Sequence, residues 1–458
     1  MMKKNIRIGC GAGFSGDRLE PALVLAEKGD LDYLVLECLA ERTIALAQKR
    51  RLEDPTKGYD PLLERRIASL LPLLMKNNIC LITNMGAANP VAAAQKIIEI
   101  ATSQQVHIKV AAVTGDDVIS GQAGNPDRAF HFANFLPFAG DDKIIHHEQH
   151  PISNEQVISA NAYLGVEGIL QALQSGAQVI VTGRVADPSL FLAPMIHEFG
   201  WSLNDYNLLG QGTVVGHLLE CAGQVTGGYF ADPVKKPVEN LAELGHPFAE
   251  VSADGKAIIS KVAGTGGLVN LQTAKEQLLY EVVDPHAYIT PDVVADFTTV
   301  RLKETGKDQV QVSGGTGRQK LPTYKVSVGY KAFYLGEAEI SYAGREAVSR
   351  ARLAGDIIKQ RLSSQVDELR IDQVGINATH RTSFADDTSV PYEVRLRVAG
   401  RSKAAAGAAL VGEEVEALYT NGPAAGGGVR KYVTEVIGIV SVLTDRAEIF
   451  PTITILQS

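Results

Sequence analysis

The stretch NIRIGCGAGFSGDRLEPALVLAEKGDLDYLVLE, residues 5–37, predicts a strand, a helix and a second strand in that order. The apolar runs at its two ends are short and almost unbroken, which is typical of strands that are covered on both faces. Between them, Asp17 is the expected N-cap of a helix over residues 18–28, with Glu20 three positions further on and Gly29 after its end. Strand, helix, strand in this order predicts a parallel pair joined by a right-handed crossover.

The same alternation continues through the first two fifths of the chain. The predicted strands cover residues 5–10, 31–37, 78–83, 107–113 and 177–182. The predicted helices cover residues 18–28, 41–51, 59–76, 90–103 and 155–175. The pattern therefore predicts an α/β domain on a parallel sheet, doubly wound or, as the alternative, closed into a barrel.

The pattern changes in the last third of the chain. Residues 392–398 alternate apolar and charged side chains, whereas residues 345–362 and 404–418 carry apolar side chains at helical spacing. The order strand, helix, strand, strand, helix, strand is that of a ferredoxin-like α+β sandwich. We therefore expect two domains, an α/β domain with the active-site loops over residues 1–320 and a ferredoxin-like domain over residues 321–458.

Composition narrows the functional class. The 458 residues carry 44 Lys and Arg against 52 Asp and Glu, a net charge of -8, so neither nucleic acid nor an anionic membrane is expected as a partner. No apolar run approaches the ~18 residues of a membrane span, and the four cysteines form no CxxC pair. We expect a cytoplasmic protein. The strand predicted at residues 436–443 is apolar on both sides, so we expect its outer face to be covered by the first domain or by another subunit of a homo-oligomer.

Glycines collect in four clusters, each of which predicts a binding loop or a turn. The clusters are GCGAGFSGDR (9–18), AGTGGLVN (263–270), VSGGTGR (312–318) and NGPAAGGG (421–428). The first contains Gly11, Gly13 and Gly16 in a GxGxxG pattern after a strand, and Glu37 ends the next strand, as in a dinucleotide-binding fingerprint. Asp17 weakens that hypothesis, because its charge lies where phosphate would bind. Three interpretations of this loop therefore stay open: NAD(P) binding, a tight turn, and binding of another ligand.

Polar side chains follow every predicted parallel strand, where ligands bind in open α/β sheets and in barrels. We expect Arg18 and Arg184 to hold a substrate anion, because a guanidinium can bind a carboxylate or phosphate through two hydrogen bonds. The candidate acids and bases are Glu37, Asp117 and Asp187. The other candidate substrate-binding residues are Gly13, Ser15, Gly16, Asn84 and Asn89.

Two further motifs contain reactive side chains. In GHLLECAGQ, His217 and Glu220 are one helical turn apart, so Glu220 is a candidate acid or base and Cys221 a candidate nucleophile, with a buried structural cysteine as the alternative. HHEQH (146–150) offers three histidines and a glutamate but lacks the HExxH spacing of a metal site. A solvated loop is the favoured interpretation, and we expect no divalent metal.

Five separated segments resemble one known family. They are RIGCGAGFSGDRLEPALVLAEKGDLDYLVLECLAERTIA (7–45), TNMGAANP (83–90), TGRVADPSLFLAP (182–194), ECAGQVTGGYFADP (220–233) and EVVDPHAYITPDVVADF (281–297). Together they resemble the acyclic terpene utilisation family. The resemblance implies a place in the catabolism of acyclic terpenes such as citronellol and geraniol, through branched acyl-CoA intermediates. It carries over no catalytic residues.

These observations predict an enzyme of the lyase, hydratase or isomerase class that acts on a small carboxylate or its CoA thioester. No cofactor is firmly indicated. One alternative is an NAD(P)-dependent oxidoreductase that uses the GxGxxG-like loop. The other is a non-catalytic partner subunit, for which the glycine loops and the acidic surface would suffice.

Overall fold

The structure, a computed structural model, describes residues 4–119, 136–137, 152–380 and 391–458. The chain divides into two compact units. The second is Tyr330–Gly438, and the first consists of Met1–Gly329 together with Ile439–Ser458.

Strands and helices alternate through the first half of the chain. They are β1 (Asn5–Ala12), α1 (Glu20–Lys28), β2 (Tyr33–Leu36), α2 (Glu41–Glu53), α3 (Leu63–Lys76), β3 (Cys80–Thr83), α4 (Pro90–Ser103), β4 (Lys109–Thr114), β5 (Leu136–Pro137), β6 (Val157–Ala162), α5 (Glu167–Gln174), β7 (Val179–Thr182), α6 (Ser189–Phe199) and α7 (Tyr206–Glu220). The second half of the chain consists mainly of strands. They and their helices are β8 (Pro247–Ser252), β9 (Ala257–Lys261), α8 (Leu271–Leu279), β10 (Tyr288–Ile289), β11 (Val294–Asp296), β12 (Arg301–Gly306), β13 (Gln309–Ser313), β14 (Thr316–Arg318), β15 (Thr323–Ala343), α9 (Ala347–Leu362), β16 (Glu368–Val374), β17 (Glu393–Ser402), α10 (Ala405–Asn421), β18 (Gly427–Asp445) and β19 (Thr452–Gln457).

A ten-stranded sheet forms the centre of the first unit, in the order β12-β13-β9-β8-β1-β2-β3-β7-β4-β19. The five strands from β1 to β4 in this order are parallel, and the strands on either side of them pair antiparallel. The sheet is open, with β12 and β19 at its two ends. The predicted α/β domain on a parallel sheet is therefore confirmed, and the barrel alternative is wrong.

Both faces of the parallel strands are covered, as their unbroken apolar sequences predict. Val35 of β2 lies in one core with α5, α6 and α7, whereas its neighbours Leu34 and Leu36 lie in a second core with α1, α3 and α4. Because successive side chains of a strand point to opposite faces, these two cores lie on opposite sides of the sheet. The domain is doubly wound.

Two local predictions differ from the structure. Residues 155–175, expected as one helix, form a short 3-10 turn, strand β6 and helix α5, because β6 pairs with β15 far along the chain. Asp17 does not cap α1, which begins at Glu20 after Leu19. Its carboxylate instead accepts hydrogen bonds from the backbone N–H groups of Gly13 and Phe14.

The second unit has the predicted ferredoxin-like arrangement. Its elements run β15, α9, β16, β17, α10, β18, and the sheet order is β16-β17-β15-β18. The strands β16 and β15 both pair antiparallel with β17. The core lies between this sheet and the two helices, and Ile340, Ala354, Leu396 and Val415 are among its fully buried side chains.

The end of the chain returns to the first sheet. Strand β19 pairs antiparallel with β4 over six residue pairs, from Thr452 opposite Thr114 to Gln457 opposite Lys109. For this reason residues 439–458 belong to the first compact unit. The domain boundary after residue 320 stays a prediction. Within the described ranges, no helix combines the length and the apolar character needed to cross a membrane.

Gly336 should be essential to the second unit, because a Cβ atom there would overlap the Ala408 carbonyl of α10. Replacing Gly336 by Ala should lower the free energy of unfolding by about 1–3 kcal/mol, the usual effect of overpacking. Urea unfolding of the full chain measures this change. Gly427→Ala is the matched control, since a Cβ at Gly427 meets no atom within 4 Å. Equal stability of the two variants would contradict the packing argument.

Candidate active site

The carboxyl ends of the five parallel strands lie side by side along one edge of the sheet. Helix α4, which follows β3, packs in one core, whereas α6, which follows the neighbouring strand β7, packs in the other. The chain therefore leaves these two adjacent strands over opposite faces. In open α/β sheets such a point opens a crevice in which ligands bind.

Glu37 follows β2 directly and is only 7% exposed. Its Oε1 accepts hydrogen bonds from the backbone N–H of Leu39 and from the side-chain amide of Asn84, both at 2.8 Å. Burial raises the pKa of Glu37 well above its usual range, and the charge of Asp187 raises it further, whereas Arg184 opposes this. Burial thus disfavours the charged form of Glu37 relative to that of an exposed glutamate. Its Oε2 makes no hydrogen bond within the described part of the chain.

Arg184 follows β7 and contacts several of the neighbouring loops. Its backbone N–H donates to Asp116 at 2.9 Å, and its Nη1 donates to the Leu39 carbonyl. The same Nη1 lies 3.1 Å from Asp187 Oδ1, and the guanidinium carbon lies 4.0 Å from the centre of the Tyr163 ring. Burial works against the charged form and is the largest single effect, but the charges of Asp187, Glu41 and Glu37 together with Tyr163 outweigh it, so the pKa of Arg184 is raised. Its buried Nε has no hydrogen-bond partner among the described residues.

Tyr163 links this arginine to a second carboxylate. Its hydroxyl donates to Glu41 Oε1, and Lys325 Nζ lies 3.7 Å from the same oxygen. Burial alone would raise the pKa of Glu41, but the charge of Arg184 and the tyrosine hydroxyl lower it to about 2. The pKa of Glu41 is therefore lowered, whereas the pKa of Glu37 is raised. Such a separation of carboxyl pKa values is typical of groups with different roles in acid–base catalysis.

Two aspartates follow β4. Asp116 is buried and accepts hydrogen bonds from the Arg184 backbone and, at 2.8 Å, from the Asn161 side chain. Burial raises the pKa of Asp116 to about 6, against the effect of the hydrogen bond from Arg184. Asp117 accepts from the Ile119 N–H at 3.0 Å, and its Oδ2 lies 3.5 Å from Arg51 Nη1.

The end of α7 brings a further acidic side chain, that of Glu220, towards the edge of the sheet. His217 Nδ1 and Glu220 Oε1 lie 2.8 Å apart. Burial lowers the pKa of His217 to about 4 and raises the pKa of Glu220 well above its usual range. Burial therefore favours the uncharged form of both the imidazole and the carboxyl group, and the hydrogen-bonded pair can accept or release one proton. Burial also raises the pKa of Cys221, which keeps its thiol protonated and disfavours a thiolate nucleophile.

Gly13 places this end of α7 against the loop after β1. A Cβ atom at Gly13 would lie 2.5 to 2.7 Å from the backbone of Cys221, so only glycine allows this approach. Charge effects show that the groups act on one another: Asp187 raises the pKa of Glu220, while Arg184 lowers it. The carboxyl groups of Glu37, Asp187 and Glu220 therefore influence one another electrostatically.

Several buried polar atoms at this edge lack a hydrogen-bond partner among the described residues. Buried polar groups are normally hydrogen-bonded, so such atoms suggest a place for a ligand. They are Arg184 Nε, His217 Nε2, Glu220 Oε2 and Gln277 Oε1.

Two of the predicted substrate-binding residues have structural contacts elsewhere. Arg18 is exposed and donates to the carbonyls of Leu241 and Ala242, the latter at 2.8 Å. Asn89 caps the start of α4 with its Oδ1, and its Nδ2 donates to the carbonyls of residues 55 and 57. Both side chains hold loops together.

The glycine loop after β1 is also tied within the protein. The carboxylate of Asp17 accepts the N–H of Gly13 at 2.6 Å and that of Phe14 at 3.3 Å, and the Ser15 carbonyl accepts from Arg66. A Cβ at Gly16 would meet the ring of Phe14. These contacts favour the tight-turn interpretation and disfavour a pyrophosphate on the amides, because a carboxylate of the protein already occupies two of them.

The structure thus brings Glu37, Asn84, Arg184 and Asp187 together and places Glu220 and Cys221 close by. Their roles stay predictions. Sequence reasoning did not select Tyr163, which comes from the loop after β6, or Glu281, whose charge raises the pKa of Glu220. Glu281 begins one of the segments that carry the family resemblance. Its φ of 58° is strained for a residue with a side chain, and such strain often marks functional sites.

The HHEQH motif, residues 146–150, lies outside the described residues. Across residues 4–119, 136–137, 152–380 and 391–458, no group of three or more His, Cys, Asp and Glu side chains is arranged to hold a metal ion.

The fold and site define a class of protein: a doubly wound α/β protein with a group of ionisable side chains at the carboxyl edge of its sheet. The model of the acyclic terpene utilisation family, AtuA, matches residues 6–455, so the chain belongs to that family. The family confirms the resemblance found in the sequence and is consistent with a catabolic role. No curated protein and no solved structure matches the chain.

Asp116→Asn tests the buried carboxyl after β4. A carboxyl whose pKa is raised on folding binds more protons in the folded state, so stability falls as pH rises from its unfolded pKa to the folded value of about 6. The wild type should therefore lose about 2–3 kcal/mol relative to the variant between about pH 4 and 6.5. Urea unfolding at several pH values measures this difference. Parallel pH curves for the two proteins would contradict the shifted pKa.

Proposed function

We propose that the protein is a cytoplasmic enzyme that moves protons on a small carboxylic acid or its CoA thioester, as a lyase, hydratase or isomerase. The observation that carries the proposal is the environment of the Glu37 side chain. The side-chain carboxyl of this buried residue has one oxygen fixed by two hydrogen bonds and the other without a hydrogen-bond partner in the described part of the chain, and it belongs to the same group of charges as Arg184.

The arrangement suits removal or addition of a proton next to a carbonyl group. Such a reaction needs a base for the carbon-bound proton and a positive or hydrogen-bonding group for the charge that develops on the carbonyl oxygen. Glu37 supplies a carboxyl whose raised pKa is closer to neutral pH than that of an exposed glutamate. Arg184 supplies the positive charge, and its Nε has no other acceptor among the described residues.

A second proton carrier supports the lyase and hydratase classes in particular. Loss of water from a hydroxy acid requires one group to take the proton from carbon and another to protonate the leaving hydroxyl. The His217–Glu220 pair can fill the second role, because its two side chains are buried and share a hydrogen bond, and burial favours the uncharged form of each. Membership of a family named for terpene utilisation supports a catabolic substrate with a branched carbon chain.

Solvent exchange tests the proposal without knowledge of the full reaction. A panel of small organic acids and branched acyl-CoA thioesters is incubated with the protein in D2O, and mass spectrometry detects deuterium on the carbon next to the carbonyl. Glu37→Gln keeps an oxygen that can accept from Leu39 and Asn84 but cannot carry the proton. It should slow exchange by about 10²-fold or more, the usual contribution of a general base.

Glu53→Gln is the matched control for this variant, because Glu53 is exposed at the end of α2. It should exchange at the wild-type rate. Exchange by Glu37→Gln at that same rate would remove Glu37 from the mechanism. If the wild type exchanges no member of the panel, proton transfer beside a carbonyl is the wrong reaction class.

Arg184→Lys tests the anchoring role separately. Lysine keeps the positive charge but loses the planar fork and the stacking on Tyr163, so substrate affinity should fall by about tenfold or more while the protein stays folded. Thermal-shift titration with the substrate found in the exchange panel measures affinity, and near-UV circular dichroism confirms folding. Unchanged affinity in a folded variant would contradict this role.

A further inference from the structure

Two cavities run along helix α1 and share the residues Gly264 and Thr265. We call the first, about 780 Å³, the basic cavity; Arg7, Lys28, Lys261, Lys307 and Phe248 are among its lining residues. We call the second, about 720 Å³, the α1 channel; its walls include Asp17, Pro21, Val24, Leu244 and His246. All of these residues belong to the first compact unit.

The glycine cluster AGTGGLVN lies where the two cavities meet. Among the described residues, the backbone N–H groups of Ala263 and Gly264 donate no hydrogen bond, whereas those of Thr265, Gly266 and Gly267 each have a partner. Gly264 has a φ of +83°, and a Cβ there would meet no atom within 4 Å. The loop therefore offers two adjacent free donors to an open space, which is how a backbone binds an anion.

Positive side chains surround these amides. Four cations line the basic cavity, Arg7, Lys28, Lys261 and Lys307, against two carboxylates, Glu239 and Asp308. The ammonium of Lys261 is almost fully buried. It donates to the Thr265 carbonyl at 2.9 Å and lies 3.4 Å from Asp308 Oδ2, so one of its three donors has no partner in the described part of the chain. Lys307 is exposed and, within that part, makes no ion pair.

The α1 channel leads from the basic cavity towards the candidate active site. Lys28 ends α1 at the basic cavity, and Asp17, Glu20 and Pro21 line the channel at the start of the same helix. A nine-residue helix is about 14 Å long, so a ligand that spans both cavities must be elongated. At the far end, the Asp17 carboxylate binds the amide of Gly13, and Gly13 packs against Cys221.

We infer that the basic cavity and the α1 channel together form one groove, which binds the phosphorylated end, or handle, of an elongated substrate. The phosphate groups would lie in the basic cavity and a thinner arm in the α1 channel. The nucleotide end of a CoA thioester has this chemistry: phosphates on a compact head, joined to a long uncharged arm. The inference rests on the proposed function, because it assigns the handle to the substrate whose acyl group meets Glu37. It favours the CoA thioester over the free acid.

Calorimetric titration tests the groove with three probes: CoA, adenosine 3′,5′-bisphosphate and inorganic phosphate. CoA should bind most tightly and the bisphosphate should retain much of that affinity. Lys307→Glu should weaken both by about fivefold or more at low salt, because charge reversal beside a phosphate removes a favourable contact and adds repulsion. Lys303→Glu is the matched control, since Lys303 is exposed on the same β-hairpin but does not line the cavity. It should bind the probes as the wild type does.

Three outcomes would overturn the inference: no heat with CoA at millimolar concentration, equal binding of phosphate and CoA, or equal affinities of the Lys307→Glu and Lys303→Glu variants. The proposed function fails in a different way. If CoA binds and Lys307→Glu weakens this binding, but no thioester exchanges its proton in D2O, the inferred binding groove is supported and the proposed reaction class is wrong. If free acids exchange their protons and CoA does not bind, the proposed reaction is supported and the inferred binding groove is wrong.

Discussion

A single buried positive charge holds the carboxyl edge of the first sheet together. The backbone and guanidinium of Arg184 contact Asp116 after β4, Leu39 after β2 and Tyr163 after β6. A buried charge is costly to leave without a partner, so these loops must approach one another closely enough to satisfy it. The same charge lowers the pKa of Glu41 and opposes the rise at Glu37. Packing of the loops and the protonation states of the site thus depend on one interaction.

A second constraint on the site is a close contact between two backbone segments, the loop after β1 and the end of α7. Gly13 lets the loop after β1 touch the end of α7, and Asp17 fixes that loop by accepting two of its amides. Arg66 of α3 reinforces the arrangement, because its guanidinium donates to the carbonyls of Ser15 and Asp17 and to the sulfur of Cys38. Gly13 of the pattern that resembles a dinucleotide fingerprint therefore has a structural role in this protein, the close contact between the loop and the end of α7. The other two glycines are packed elsewhere, because a Cβ at Gly11 would meet Leu36 and one at Gly16 would meet Phe14.

The sequence predicts the parts of the fold that depend on local pattern. The five parallel strands are continuous apolar runs, and the ferredoxin-like unit alternates clearly, as in β17, so both were found. Strand β6 was missed because its apolar residues suit a helix equally well, and only pairing with β15 decides between the two. The same limit applies to the site. Glu37, Asn84 and Arg184 follow predicted strands, whereas Tyr163 and Glu281 reach the site through long-range packing that no local pattern records.

The pairing of β19 with β4 has a consequence for biosynthesis. The ribosome completes residues 1–329 long before it adds residues 452–457, yet the main sheet lacks its last strand until then. Until β19 is present, the backbone groups of β4 along that edge are free to pair with other chains. The nascent protein thus carries an open sheet edge through the synthesis of its whole second unit.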